Sequence, residues 1–264
     1  MNKSIVITGS TRGIGYSLAD AFLAKDCAVT ISGRANESVD EAVAKLRAGY
    51  IQDHIFGYPC NVTDFAQVQK LWESARNHFG RIDIWINNAG IAVPMMKFWE
   101  LSEGQYAEVV QTNILGTMYG TKVALAGMVS QGYGAVYNME GFGARGQNMH
   151  GMTLYGSTKA SVHFITCSLA EETQGTAVIS GAISPGMVIT DMITQQFKGR
   201  EEELEKAKRV LNIIAERPET VAPVLAEKIL NNQKNGVTIS YTSPVKIMLK
   251  FLTAPINRRD LFSS

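Results

Sequence analysis

The sequence predicts an α/β protein: one domain built on a doubly wound parallel sheet of about seven strands, with helices on both faces. Three observations predict it. Apolar runs of roughly four to eight residues alternate with longer stretches of helical periodicity. A glycine-rich turn joins the first run to the first helix. No repeat, low-complexity stretch or composition break divides the 264 residues.

The first run is Ser4–Thr8, and the turn after it leads into a helix over Ile14–Lys25. The apolar start is too short for the core of a secretory signal. Strand Ala28–Ser32, helix Glu37–Ala48 and strand Ile55–Tyr58 follow. Asp64, with Gln67 three residues on, has the spacing of a capping box and opens a helix over Phe65–Phe79 that Gly80 ends. Strand Ile82–Asn87 and one long helix over Gly104–Ser130 come next, then strand Ala135–Met139 and helix Tyr155–Thr173. The last third reads as strand Ala177–Ser184, a helical pair within Asp191–Ala215, helix Glu219–Asn232 and strand Val237–Tyr241. Residues 187–215 are expected to act as a substrate lid, and 242–264 as a tail on a single domain spanning 1–264.

Composition narrows the function. Hydrophobic residues make up 45% and charged residues 19%, the balance of a globular protein with a sizeable core. A net charge of +1 with dispersed cations gives no footprint for nucleic acid. Cys27, Cys60 and Cys167 are odd in number and far apart, so they suggest neither a disulfide framework nor a metal site. Reduced thiols in a cytoplasmic protein are the expectation. His54, His78, His150 and His163 have no metal-ligand spacing, and no segment has the roughly 18 uncharged apolar residues of a spanning helix.

Thr8-Gly9-Ser10-Thr11-Arg12-Gly13-Ile14-Gly15 places glycines where a chain turns sharply and approaches a pyrophosphate at a helix N-terminus. Further along stand Asn87-Asn88-Ala89-Gly90, Tyr155-Gly156-Ser157-Thr158-Lys159 and Ser184-Pro185-Gly186-Met187-Val188-Ile189-Thr190. These four motifs, in this order, resemble the short-chain dehydrogenase/reductase family, with its Rossmann-type fold. The resemblance implies a nicotinamide coenzyme. Gly9, Ser10, Thr11, Arg12, Gly13, Ile14 and Gly15 would form the pyrophosphate turn, and Asn88, Ala89 and Gly90 would line the adenosine side. Asn61 and Val62 stand where the family has Asp-Val against adenine. Pro185, Gly186, Val188 and Thr190 would hold the carboxamide.

The end of the second strand bears on the choice of coenzyme. Where an acidic residue would receive the ribose hydroxyls of NAD stands Gly33, and Arg34 follows. Arg34 and Arg12 suit a 2′-phosphate, so NADP(H) is expected over NAD(H), the plain alternative being two solvated surface arginines.

Tyr155 and Lys159, four residues apart, share one helical face. A free phenol titrates near ~10. An ammonium about 4 Å away, at an effective dielectric of ~20, would stabilise the phenolate by roughly 4 kcal/mol, which brings the group toward neutral pH. The resemblance gives Tyr155 the proton, Lys159 the nicotinamide ribose, and Asn113 a water in the proton relay. The implied reaction is reduction of an aldehyde or ketone.

One family feature is missing. A serine is expected near the end of the fifth strand, about 13 residues before the tyrosine, but Val136-Tyr137-Asn138-Met139-Glu140-Gly141-Phe142-Gly143 holds neither serine nor threonine. Losing such a donor typically lowers turnover by ~10²–10³-fold. The backbone N–H groups of Gly141 or Phe142, or a protonated Glu140, are the candidate replacements.

The Asn-Met-acid-Gly segment resembles the chlorophyll b reductase branch, as does a C-terminus running from Ile239 to Lys246 and then Asn257-Arg258-Arg259-Asp260-Leu261-Phe262. That branch reduces a formyl group on a chlorin, which implies a large apolar substrate. Met95, Met96, Met139, Met149, Met152, Met187 and Met192 would either line its pocket or fill the core. Met248, Leu249, Phe251 and Leu252, flanked by Lys246, Lys250, Arg258 and Arg259, would meet a neighbouring subunit of a homodimer or homotetramer, or less plausibly a membrane surface. The other readings are a hydroxysteroid or acyl carbonyl reductase, and a nucleotide-sensing protein that has lost catalysis.

Overall fold

In the computed structural model, which describes residues 3–254 and 259–262, every expected strand is present. They are β1 (Ser4–Ile7), β2 (Ala28–Ile31), β3 (Ile55–Gly57), β4 (Ile84–Asn87), β5 (Gly134–Met139), β6 (Val178–Ser184) and β7 (Thr238–Ser240). All six neighbouring pairs are parallel, in the order β3-β2-β1-β4-β5-β6-β7. The chain reverses its direction of travel between β1 and β4, and the crevice beyond the carboxyl ends of those two strands is where such sheets bind ligands.

Strand periodicity divides the core. Ile5, Ile7, Ile84, Ile86, Tyr137 and Met139 join one cluster, while Val6, Trp85 and Val136, the alternate residues, join another. The first is covered by α1 (Gly13–Leu23), α2 (Asn36–Arg47) and, later in the chain, helix Pro218–Asn231. The second takes Val68, Leu71 and Trp72 of α3 (Phe65–Phe79). Each large side chain so buried contributes about 1.5–3 kcal/mol. Trp85, fully buried, is the change that would cost most, about 3–5 kcal/mol on truncation to alanine.

Asp64 caps α3 through Ala66 and Gln67 N–H, and Gly80 ends it at φ 77°. The capping box is altered, because the Gln67 amide oxygen accepts from the N–H of Asn61, not of Asp64. The expected single helix 104–130 is three segments: α4 (Glu103–Val110), a π turn over Gln111–Leu115, and α5 (Gly116–Gln131). Helix α6 (Thr153–Glu172) follows β5.

The remaining helices are α7 (Asp191–Gln196), α8 (Glu201–Ile214), α9 (Pro218–Asn231) and α10 (Pro244–Thr253). The expected lid is therefore a helix pair, α7 and α8, held at its base by a parallel bridge between Val188 and Glu216. Val245, Met248, Leu249, Phe251 and Leu252 of α10 are exposed. Two of its basic neighbours face inward instead: Lys250 lies 2.5 Å from Glu216, which also pairs with Arg259, whereas Lys246 is exposed. The expected basic flank for a membrane surface is thus partly neutralised by a carboxylate. Asn257 and Arg258 lie outside the described residues.

Candidate active site at the carboxyl edge of the sheet

The glycine turn is shaped by close approach. Gly9 sits at φ 62°, and a Cβ there would lie 2.8 Å from Ala89 Cα; one on Gly15 would lie 2.5 Å from Asn88 Nδ2. Thr8, which the motif reading passed over, clamps this junction, its hydroxyl accepting from the N–H of Asn88 at 3.0 Å and of Ala89 at 3.1 Å. Asn88 Nδ2 donates to the carbonyls of Thr8 and Gly9, both at 2.9 Å. Asn88 therefore builds the turn, where its amide is engaged. The Ser10 hydroxyl is engaged likewise: fully buried, it donates to Ile7 O and accepts from Ser32 N–H. The first turn of α1, which opens at Gly13 and holds Ile14 and Gly15, has neither a side-chain cap nor an acidic residue, which leaves its N–H groups suited to an anion.

At the end of β2, Gly33 packs on the turn, and a Cβ there would meet Thr11 Cγ2 at 2.6 Å. A carboxylate side chain at this position would require Thr11 to turn aside. Arg34 and Arg12, both about 70% exposed, already face carboxylates: Arg34 lies 4.0 Å from Glu108, and Arg12 3.3 Å from Asp191. Exposed pairs of this kind are worth ~0–1 kcal/mol, so a phosphate displaces them at little cost. Asn61 differs from the expectation, because its side-chain oxygen accepts from the N–H and hydroxyl of Thr63. The acceptor expected to face adenine closes its own turn instead. Val62 is buried against Gly116.

The π turn explains Asn113. The extra residue carries this side chain into the interior, where Oδ1 accepts from Ile91 N–H at 2.8 Å and Nδ2 donates to Ile91 O and Thr158 Oγ1. A Cβ on Gly90 would lie 3.3 Å from that Oδ1 and 3.6 Å from Lys159 Nζ. Gly90, Asn113 and Lys159 thus converge.

Lys159 is buried, donates to Met139 O at 2.9 Å, and stands 5.8 Å from the centre of the Tyr155 ring. Burial lowers its ammonium to about 8, opposed by the charge of Glu140. The phenol departs from the expectation. Burial pushes Tyr155 up to about 12, and the lysine, turned toward a carbonyl, does not reverse this. Gly141 fits against the phenol, since a Cβ there would lie 2.5 Å from its oxygen.

Glu140 is corrected as a candidate donor to a substrate carbonyl. Its carboxylate, 2% exposed, lies 2.6 Å from His163 Nδ1 and 3.6 Å from Arg145 Nε. It takes those donors, and the N–H of Glu140 is bonded to Ile183 O. Thr190 begins α7 without capping it and lies 3.5 Å from where a Gly13 Cβ would be. That brings the turn after Pro185 and Gly186, itself at φ 76°, against the glycine turn. Of the seven methionines, Met139 belongs to the sheet core, whereas Met149 is exposed.

The sequence profile of the short chain dehydrogenases matches residues 3–201. The chain belongs to that family. It is 34% identical over 276 aligned positions to a probable chlorophyll(ide) b reductase, chloroplastic, of Oryza sativa subsp. japonica, covering 98% of this chain and 54% of the relative. It is 37% identical over 231 positions to a chlorophyll(ide) b reductase, chloroplastic, of Arabidopsis thaliana, covering 86% and 65%. The chain thus spans about half to two thirds of the length of these relatives. Among solved structures, a serine dehydrogenase complexed with NADP+ matches with a TM-score of 0.80 and 28% identity over 92% of this chain and 95% of that one. A second, ElxO with NADP bound, matches at 0.78 and 28%, over 91% and 98%.

Membership accounts for the sheet order and for the convergence at Gly90. No helix among the described residues is long and apolar enough to cross a membrane. The relatives are named as chloroplastic, which differs from the cytoplasmic expectation. Family motifs alone did not reveal the buried amide network beneath the site. There Asn87 Nδ2 donates to Thr121 and Asn138, and Asn138 Nδ2 donates to Thr166. The only signal for it was asparagine and threonine at apolar positions.

Proposed function

We propose that this short-chain dehydrogenase reduces an aldehyde or ketone with NADPH, with Tyr155 giving the proton and Lys159 stabilising the phenolate left behind. The observation that carries the reading is the convergence of Lys159 and Asn113 on Gly90, with the Tyr155 ring centre 5.8 Å from the ammonium, next to a phosphate-type turn. The turn fits a dinucleotide, because Gly9 and Gly15 let it pack tightly on Ala89 and Asn88 and the first turn of α1 is uncapped. NADPH is favoured over NADH by the glycine at 33, by Arg34 and Arg12, and by the NADP named in the structural neighbours. When bound, the nicotinamide supplies a hydride.

The chain's own residues handle the proton. A phenol held at about 12 stays protonated at neutral pH, and an alkoxide is basic enough to take its proton. The ammonium of Lys159 then faces the new phenolate, where its charge lowers the cost of separating that proton. The names of the plant relatives favour a formyl group on a large apolar ring as substrate. Self-association through exposed faces such as that of α10 accompanies this reading.

The test is consumption of NADPH with a panel containing a formyl-bearing chlorin, a hydroxysteroid ketone and a 3-oxoacyl thioester. Tyr155→Phe should lower turnover at least 10²-fold while leaving thermal protection by NADPH within about 1 °C of the parent. Steady turnover in the Phe variant would remove Tyr155 from the reaction. Protection by NADPH with no turnover on any carbonyl would favour a nucleotide-sensing role.

A further inference from the structure

Three consecutive residues at the end of β5 address three successive turns of α6. Met139 O accepts from Lys159 Nζ at 2.9 Å, Glu140 reaches His163 at 2.6 Å, and Gly141 abuts the hydroxyl of Tyr155. Tyr155, Lys159 and His163 are spaced four apart, so they form one stripe of the helix. The Glu140 carboxylate is 2% exposed, and the proposed reaction gives it no contact with a substrate.

Burying a carboxylate is costly unless it is paired, and truncating its partner is costlier still. A buried charge held one helical turn from the Lys159 ammonium, whose own partner is the carbonyl just before Glu140, therefore has electrostatic consequences for that ammonium. The charged and titratable groups around it are His163 at Nδ1, Arg145 at 3.6 Å, and Lys159 with Tyr155 beyond it. The other ring nitrogen of His163, Nε2, faces Cys167 Sγ at 3.8 Å.

The geometry points to Glu140 as a positioning residue: from the strand end where the family has its serine, its negative charge keeps the buried Lys159 an ammonium, and His163 and Arg145 hold the carboxylate in place. Resting on the reductase reading above, this gives the missing serine a specific consequence. The segment has lost a neutral donor to the substrate and gained a charge that acts through the lysine. Burial alone drives Lys159 toward its neutral amine, and Glu140 opposes this. Without that opposition the amine would lose its proton within the working range of pH, and with it the charge that faces the phenolate.

The experiment titrates Lys159 Nζ by NMR of lysine-labelled whole protein, the signal assigned by its absence in Lys159→Arg, alongside pH profiles of NADPH oxidation. The parent midpoint is expected at about 8. Glu140→Gln should move it down by about one pH unit and draw the alkaline limb of kcat/KM down with it. Glu140→Asp should restore both. Glu140→Met, which also removes the charge without leaving an unpaired amide, serves if the Gln variant folds poorly. An unmoved midpoint in a folded, charge-free variant overturns the proposal, whatever the turnover. A lowered midpoint in a protein that reduces no carbonyl upholds the action of Glu140 on Lys159 and rejects the reductase reading.

Discussion

Replacing Gly141 with alanine tests whether the backbone after β5 positions the phenol. The new methyl carbon would lie 2.5 Å from the Tyr155 oxygen and 3.3 Å from both Lys159 Cγ and Tyr155 Cζ. Ordinary contact begins at 3.4 Å, so the hydroxyl must retreat by about 1 Å. The phenol is rooted on α6 and Lys159 is tied to Met139, so neither yields freely. A misplacement of ~1 Å at a reacting group costs up to ~10²-fold in rate. Gly141 opens a turn, its carbonyl accepting from the N–H of Ala144, but it is absent from the residues with positive φ, so the backbone itself accepts alanine. The assay is NADPH oxidation against the best carbonyl substrate, with kcat and KM separated, beside thermal unfolding. Expected are a kcat lowered 10–100-fold, a KM for NADPH within about twofold, and a melting temperature within ~4 °C of the parent. A kcat within twofold of the parent would refute the claim that this contact sets the position of the proton donor.

Three further outcomes follow from other parts of the molecule. Arg34→Gln should narrow the gap between protection by NADPH and by NADH by about 1–2 kcal/mol, read as the shift in melting temperature at matched coenzyme concentrations; an unchanged gap would show that Arg34 makes no phosphate contact. In the folded protein only Cys167 should react promptly with a thiol reagent, because Cys27 and Cys60 are buried and burial raises both thiols, Cys60 to about 12. Mass spectrometry should show one label before unfolding and three after. Although desolvation opposes it, hydrogen bonds from Lys250 and Arg259 lower Glu216 below its ordinary 4.5. A depressed carboxylate stabilises the fold above its unfolded value and loses that contribution as pH falls through the folded one. Glu216→Gln should therefore melt earlier at pH 7, with the difference closing below about pH 4; a difference constant with pH would assign the effect to packing.

The sheet was legible in the sequence because each strand carries its apolar residues at the period the sheet requires. Ile5, Val6 and Ile7 show why even a continuous apolar run is unambiguous here, with both faces covered. The π turn at Gln111–Leu115 was not legible, since one extra residue leaves a helical pattern on either side almost unaltered. The site divides in the same way. Tyr155, Lys159 and the glycines follow from motif spacing. The engagement of Asn61 by Thr63, of Asn88 by the carbonyls of Thr8 and Gly9, and of Ser10 by Ile7 and Ser32 depends on where the folded chain brings these groups together, which no spacing encodes. Thr8 and Glu140 carry single polar groups whose partners lie far off in the chain, or on a neighbouring helix.

The contact between Gly33 and Thr11 constrains how coenzyme preference can change over time. An aspartate introduced at 33 by itself would collide with the threonine methyl before it could meet any ribose. Thr11 would have to turn its side chain aside, or become smaller, before a carboxylate at 33 could stand toward a ribose. A switch of nucleotide among descendants of this chain therefore involves position 11 as well as position 33.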